Sequence, residues 1–273
     1  MKKLLVATVT FASLIGTPAL AADMALKAPP PPVPAPPTWT SCYIGLNLGG
    51  DVARSNFSWS GISEGGTAFA AGAATVIPEA ANATLRSSGV IGGGQVGCNY
   101  QTGVFVVGLE GDFDGTGLRN SRSAVSLGNT NGGPPTIVPG FINESFRSNW
   151  LSTVRGRVGI ANGPWLFYGT GGLAIANVSF SDQLCFPTAA IPICNAASSN
   201  NTRTGWAAGG GIEWMFTAHW SAKVEYIHAD LGTTTYTSLG MTAGGAVPFP
   251  GTTINHSHSF TEDIGRAGVN WHF

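Results

Sequence analysis

WLSTVRGRVGIANGPWLFYG, residues 150–169, alternates with a period of two and turns back on itself once. Trp150, Val154, Gly156, Val158 and Ile160 fall on one face, and Thr153, Arg155 and Arg157 on the other. Successive side chains point to opposite sides of a β-strand, so this is a strand with one apolar and one charged face. Asn162-Gly163 follows as a two-residue hairpin signal and predicts a type I′ turn. The run from Trp165 to Ala176 is β-rich, but large apolar residues occupy both of its faces, which leaves its orientation open.

Working outward, segments of this kind recur at 42–50, 87–100, 103–112, 149–161, 164–176, 203–216, 219–231 and 259–273. Each has about the length that a tilted strand needs to cross a bilayer. Tight links fall at Gln101-Thr102, Asn162-Gly163 and Thr217-Ala218, and the other links, 51–86, 113–148, 177–202 and 232–258, are long and rich in Gly, Ser, Thr, Asn and Pro. Strict alternation of short and long links predicts an all-β fold, an eight-stranded antiparallel transmembrane β-barrel with short periplasmic turns and long outer loops. Both termini then lie in the periplasm.

Strand parity tests this independently. Gly265, Ala267, Val269, Trp271 and Phe273 oppose Arg266, Gly268, Asn270 and His272; Phe105, Val107, Leu109 and Phe113 oppose Gly108, Glu110 and Asp112. Trp206, Ile212, Trp214 and Phe216 oppose Glu213, and Trp220, Val224 and Tyr226 oppose Lys223 and Glu225. A soluble barrel has the reverse polarity, so the apolar face is read as lipid-facing. Glu110, Asp112, Glu213 and Glu225 then share the lumen with Arg155, Arg157, Lys223 and Arg266, with the two signs in balance. Unpaired charge in a desolvated interior is costly, and an eight-stranded barrel is only wide enough for side chains to fill. A salt-bridged plug is expected there.

The N-terminus fits an exported protein. Lys2-Lys3, an apolar run from Leu4 to Ile15 and Ala19-Leu20-Ala21 form the three parts of a signal peptide, 1–21. Residues 22–40 are read as a Pro-rich periplasmic linker, since APPPPVPAPP at 28–37 cannot join a sheet. It is a plain spacer in the simplest reading and a tether to peptidoglycan in the other. The barrel spans 41–273. Only 10% of residues are charged and the net charge is −1, so no basic face offers a nucleic-acid site.

Chemistry-bearing motifs are sparse. Cys185 with Cys194 would tie off the third long loop, and Cys42 with Cys98 would join adjacent strands at the periplasmic rim, facing one side by parity. His256 and His258 have the spacing for a metal or haem contact in an extended segment, but two ligands lack a third, and the segment is read as a solvated polar loop. Gly92-Gly93-Gly94 and Gly209-Gly210-Gly211 lie inside strands without a following helix or lysine, so close packing in a curved wall explains them better than phosphate binding. No catalytic residue, metal site or cofactor is expected.

Cys42-Tyr-Ile-Gly-Leu-Asn-Leu-Gly49, Gly108-Leu-Glu-Gly-Asp-Phe113, Tyr168-Gly-Thr-Gly-Gly-Leu-Ala174, Gly205-Trp-Ala-Ala-Gly-Gly-Gly-Ile-Glu-Trp214, Lys223-Val-Glu-Tyr226 and Gly268-Val-Asn-Trp-His-Phe273 resemble the outer-membrane immunogenic protein family, as does the opening stretch. The resemblance implies an opacity-protein-like porin-family barrel in the cell outer membrane. It implies partners in outer-membrane lipids, periplasmic chaperones and the assembly machinery, which would read the C-terminal Val269, Trp271 and Phe273. Three functions follow. The leading one is a non-enzymatic envelope protein and surface antigen whose loops meet extracellular ligands. The second is a narrow porin for small solutes. The third is a lipid-modifying enzyme, for which His228 near the top of its strand is the one candidate, with interfacial hydrogen bonding as its simpler role.

Overall fold

Alternating runs become nine β segments: β1 (Ser41–Ser63), β2 (Ala83–Thr102), β3 (Phe105–Thr116), β4 (Arg119–Asn129), β5 (Ile137–Asn162), β6 (Trp165–Phe186), β7 (Ile193–Met215), β8 (Trp220–Ala243) and β9 (Ala246–His272). The computed structural model describes residues 38–63, 80–129, 137–187, 193–243 and 246–273. The expected signal peptide and most of the Pro-rich linker lie outside them.

Each strand pairs antiparallel with its neighbours, and β1 pairs with both β2 and β9. β3 and β4 follow each other up one position of the wall, β3 against Trp150–Ile160 and β4 against Ile137–Arg147 of β5. The ring therefore has eight positions and closes on itself, which removes the sheet edges that would otherwise expose backbone groups to lipid.

The strands are longer than the sequence reading allows. β5 has 26 residues and β9 has 27, more than twice the ~10 needed to cross a bilayer. The links 51–86, 113–148, 177–202 and 232–258 are thus largely strand among the described residues, not irregular loops. The reason is an inversion of polarity with height. Lower down, Leu46, Val96, Leu109, Val158 and Val224 are exposed on the outside. Higher up, Asn56, Ser58, Ser181, Asn200, Thr233 and Thr235 face outward, while Phe57, Phe146, Phe180 and Phe260 are buried inside. The upper barrel has the polarity of a water-soluble protein on the same continuous strands. A search for apolar-outward segments stops where this inversion starts.

The turns also differ in detail. β2 and β3 meet at Gly103-Val104 and β5 and β6 at Gly163-Pro164, each with glycine at positive φ (60° and 59°). Proline fixes a negative φ at the second central position, so the latter follows the II′ pattern instead of the expected I′. The glycine clusters are close approaches: a Cβ on Gly93 would lie 2.0 Å from the Phe113 carbonyl oxygen, and one on Gly209 2.1 Å from that of Tyr226.

The interior is layered. At the short-turn end Trp39 is fully buried with Val106, Leu166, Tyr168 and Met215. Trp39, in the segment read as linker just before β1, packs into this interior layer. Above this layer come the charged groups, then an apolar layer that includes Ile91, Leu151, Ile227, Phe260 and Ile264. β6 loses its ambiguity here: Trp165, Phe167 and Leu173 face outward, and Leu166 and Tyr168 enter the interior.

Candidate functional site: the charged interior

All eight charged residues expected in the lumen are at most 5% exposed. They come from five strands, because the period-two alternation of β3, β5, β7, β8 and β9 turns each inward at similar heights. Arg155 is the hub. It lies 2.8 Å from Glu110, 2.9 Å from Asp112 and 3.1 Å from Glu225. Arg266 reaches Asp112 at 2.7 Å and Glu225 at 2.8 Å. Lys223 is 2.8 Å from Glu110, and Arg157 is 2.7 Å from Glu213. Charge-assisted bonds of this length, made by planar guanidinium forks, are what allow so many ions to be buried together.

The sequence reading missed several members. Asp114 accepts from Arg266 at 2.5 Å; its parity matches Glu110 and Asp112, but the assigned strand ended two residues too early. Tyr43 donates to Glu110 at 2.5 Å and accepts from Arg157 at 2.7 Å. Tyr168 donates to Glu225 at 3.1 Å, and its ring lies 4.0 Å below the Arg157 guanidinium. Asn270, Ser221 and His272 surround Glu213, with Asn270 and Ser221 donating at 2.8 and 2.6 Å.

Both disulfides form as expected. Cys42 bonds Cys98 across directly opposed positions of β1 and β2, and Cys185 bonds Cys194 between β6 and β7. Val269, Trp271 and Phe273 line the outer face, Trp271 and Phe273 with ring centroids 5.6 Å apart. His228 lies on the outside near the top of the apolar belt. Asp263 is 2.7 Å from it and also accepts from the Tyr226 hydroxyl, an interfacial hydrogen-bonded group.

The solvated-loop reading of His256 and His258 is overturned. β9 extends through them, and both are fully buried in the upper interior. His258 Nε2 is 2.8 Å and His256 Nδ1 3.0 Å from the same oxygen of Asp182, to which Tyr236 also donates at 2.7 Å. Burial alone would raise the Asp182 carboxyl; the two imidazoles beside it and the Tyr236 hydroxyl outweigh burial and hold it down to about 2. Nearby, burial and the Asp182 charge push Glu144 up to about 8, against the half-exposed Arg122 at 3.2 Å. The third donor that the sequence pair lacked comes from β6, which is not a neighbour of β9 in the ring.

A closed ring of antiparallel strands, apolar outside and charged inside over the height of a bilayer, defines an outer-membrane β-barrel. The model of the outer membrane protein β-barrel domain matches residues 10–246, and the chain belongs to that family. The 31 kDa outer-membrane immunogenic protein of Brucella melitensis is 32% identical over 238 residues, covering 85% of this chain and 88% of the relative. Among solved structures, the outer membrane protease OmpT of Escherichia coli aligns at 10% identity with a TM-score of 0.42, over 86% of this chain and 98% of its own. OprG of Pseudomonas aeruginosa aligns at 11% identity with a TM-score of 0.38, over 85% and 97%.

Proposed function

We propose that this is a structural, non-enzymatic barrel whose interior is closed to solutes and whose tall upper rim is the surface offered to the cell's surroundings. The observation that carries the reading is the stacking of two unlike layers. Ion-paired side chains, Arg155 fully buried among them, lie beneath an apolar layer that includes Phe260 and Ile264. A hydrated solute would have to break charge-assisted bonds and then pass a filled layer in which apolar side chains surround the buried Asp51 and Glu262, and each step is costly. The polar outer face of the upper strands belongs in water, which supports an orientation with the short turns and both termini in the periplasm. The name of the Brucella relative supports a surface antigen.

Assembly would use the exposed Val269, Trp271 and Phe273 edge. Swelling of liposomes in small sugars tests the closure. Proteoliposomes carrying the refolded barrel should swell no faster than empty ones. Swelling graded by solute size would instead favour a narrow porin.

A further inference from the structure

The upper interior holds a cluster that the charged layer does not need. Asp182 from β6, with His256 and His258 from β9, places one potential ligand atom each within 4.8 Å of the others, and all three residues are buried. Asp182 Oδ1 and His256 Nδ1, two atoms of the proposed ligand residues, have no hydrogen-bond partner among the described residues, although both are buried. Leaving buried polar atoms unpartnered costs about 1–3 kcal/mol each, more for charged groups, so a purely hydrogen-bonded cluster leaves much of its capacity unused.

We propose that Asp182, His256 and His258 form a binding site for one divalent first-row transition ion, with zinc as the best match. Two imidazoles and one carboxylate are a recurring three-ligand zinc set, whereas calcium and magnesium require more oxygen donors and copper(I) favours sulfur. The fit is close. Ligand atoms around a tetrahedral zinc lie roughly 3.3 Å apart. Here two of the separations are 2.8 and 3.0 Å and the third lies within 4.8 Å, so side-chain shifts of the order of an ångström bring the set to that spacing.

The rings are already held. His258 stacks on Phe180 at 4.7 Å and meets Phe57 edge-on at 4.3 Å; His256 stacks on Tyr236 at 5.2 Å with Trp59 edge-on at 4.6 Å. Ser238 Oγ lies 2.9 Å from His256 Nε2, where it can take the N–H and leave Nδ1 as the ligand. Such outer partners orient ligating histidines and fix their tautomer. The Tyr236 hydroxyl on the carboxylate plays the same part for Asp182. The β7–β8 ladder is interrupted between Trp206↔Asp230 and Cys194↔Thr242, beside the stretch that carries Tyr236 and Ser238. The ion would tie β6 to β9 across the interior, and the site stands whether or not the lumen conducts.

The test uses the refolded barrel in detergent, freed of metal with a chelator. Zinc is titrated by calorimetry, and cobalt(II) by its visible absorption, which reports tetrahedral coordination. One equivalent of tight binding is expected. Asp182→Asn and His256→Gln should each weaken it by at least about 100-fold, beyond the roughly 10–100-fold expected from Ser238→Ala, which removes only an outer partner. Heat-modifiable gel mobility verifies that each variant is folded, and X-ray absorption of the zinc-loaded native protein reads the nitrogen and oxygen ligands directly even if a variant fails. Absence of binding would overturn the proposal, leaving a hydrogen-bonded cluster only. So would an affinity unchanged in both variants, which places the ion at other histidines.

Discussion

Arg155→Met removes the hub of the interior while keeping an unbranched apolar stem. Arg155 faces three carboxylates within 3.1 Å and is fully buried, so the substitution leaves Glu110, Asp112 and Glu225 short of one shared cation. Removing one partner of a buried ion pair typically costs about 3–5 kcal/mol. With a urea dependence of ~2 kcal/mol per M, the midpoint of unfolding should fall by roughly 1.5–2.5 M. The assay is tryptophan fluorescence of the refolded barrel in micelles across a urea series. Arg155→Met with Glu225→Gln removes a charge of each sign, and part of the loss should return, with a coupling of about 0.5–3 kcal/mol. A single-variant shift below about 0.5 kcal/mol, or a strictly additive pair, would refute the view that these ions depend on one another.

Three other outcomes follow from the same geometry. Gly209→Val should block folding or lower stability by more than about 3 kcal/mol, since its Cβ would sit 2.1 Å from a backbone carbonyl that the ladder holds in place; gel mobility after refolding reads this. Replacing Cys42 and Cys98 by serine should destabilise by about 4 kcal/mol, against about 3 kcal/mol for the Cys185 and Cys194 pair, because the first bond closes the longer loop of unfolded chain (separations of 56 and 9 residues). Urea midpoints of the two double variants decide the order. For Glu144, burial and Asp182 raise the folded carboxyl to about 8 from about 4.5. Between those values the folded barrel holds a proton that the unfolded chain has released, so stability falls as pH rises through the window. With chelator present, Glu144→Gln should flatten this part of the pH profile, and an unchanged slope would count against it.

Much of the fold is legible because the bilayer imposes a simple rule on each strand. Arg155, Arg157, Glu213 and Lys223 could be placed inside by parity alone, since a charge on the other face would meet lipid. The rule fails where water replaces lipid. At Asn177–Phe186 the period of two continues, but Val178, Phe180 and Leu184 now point inward and Ser179 and Ser181 outward, so a search for the opposite polarity sees a loop. Asp182 was hidden for that reason, and its partner His258 is 76 residues away on a strand it does not adjoin. Trp39 was concealed by its proximity to the proline run, although a tryptophan next to a barrel strand is itself a signal of packing. Hydrogen bonding by Tyr43 and Tyr168 to the ions depends on three-dimensional heights that parity does not supply.

Single-channel conductance of the refolded barrel in a planar bilayer tests the central claim most directly, beside an Arg155→Ala/Arg157→Ala variant. The account predicts no steps from the native protein and openings in the variant. Regular ion-selective steps from the native protein would contradict it.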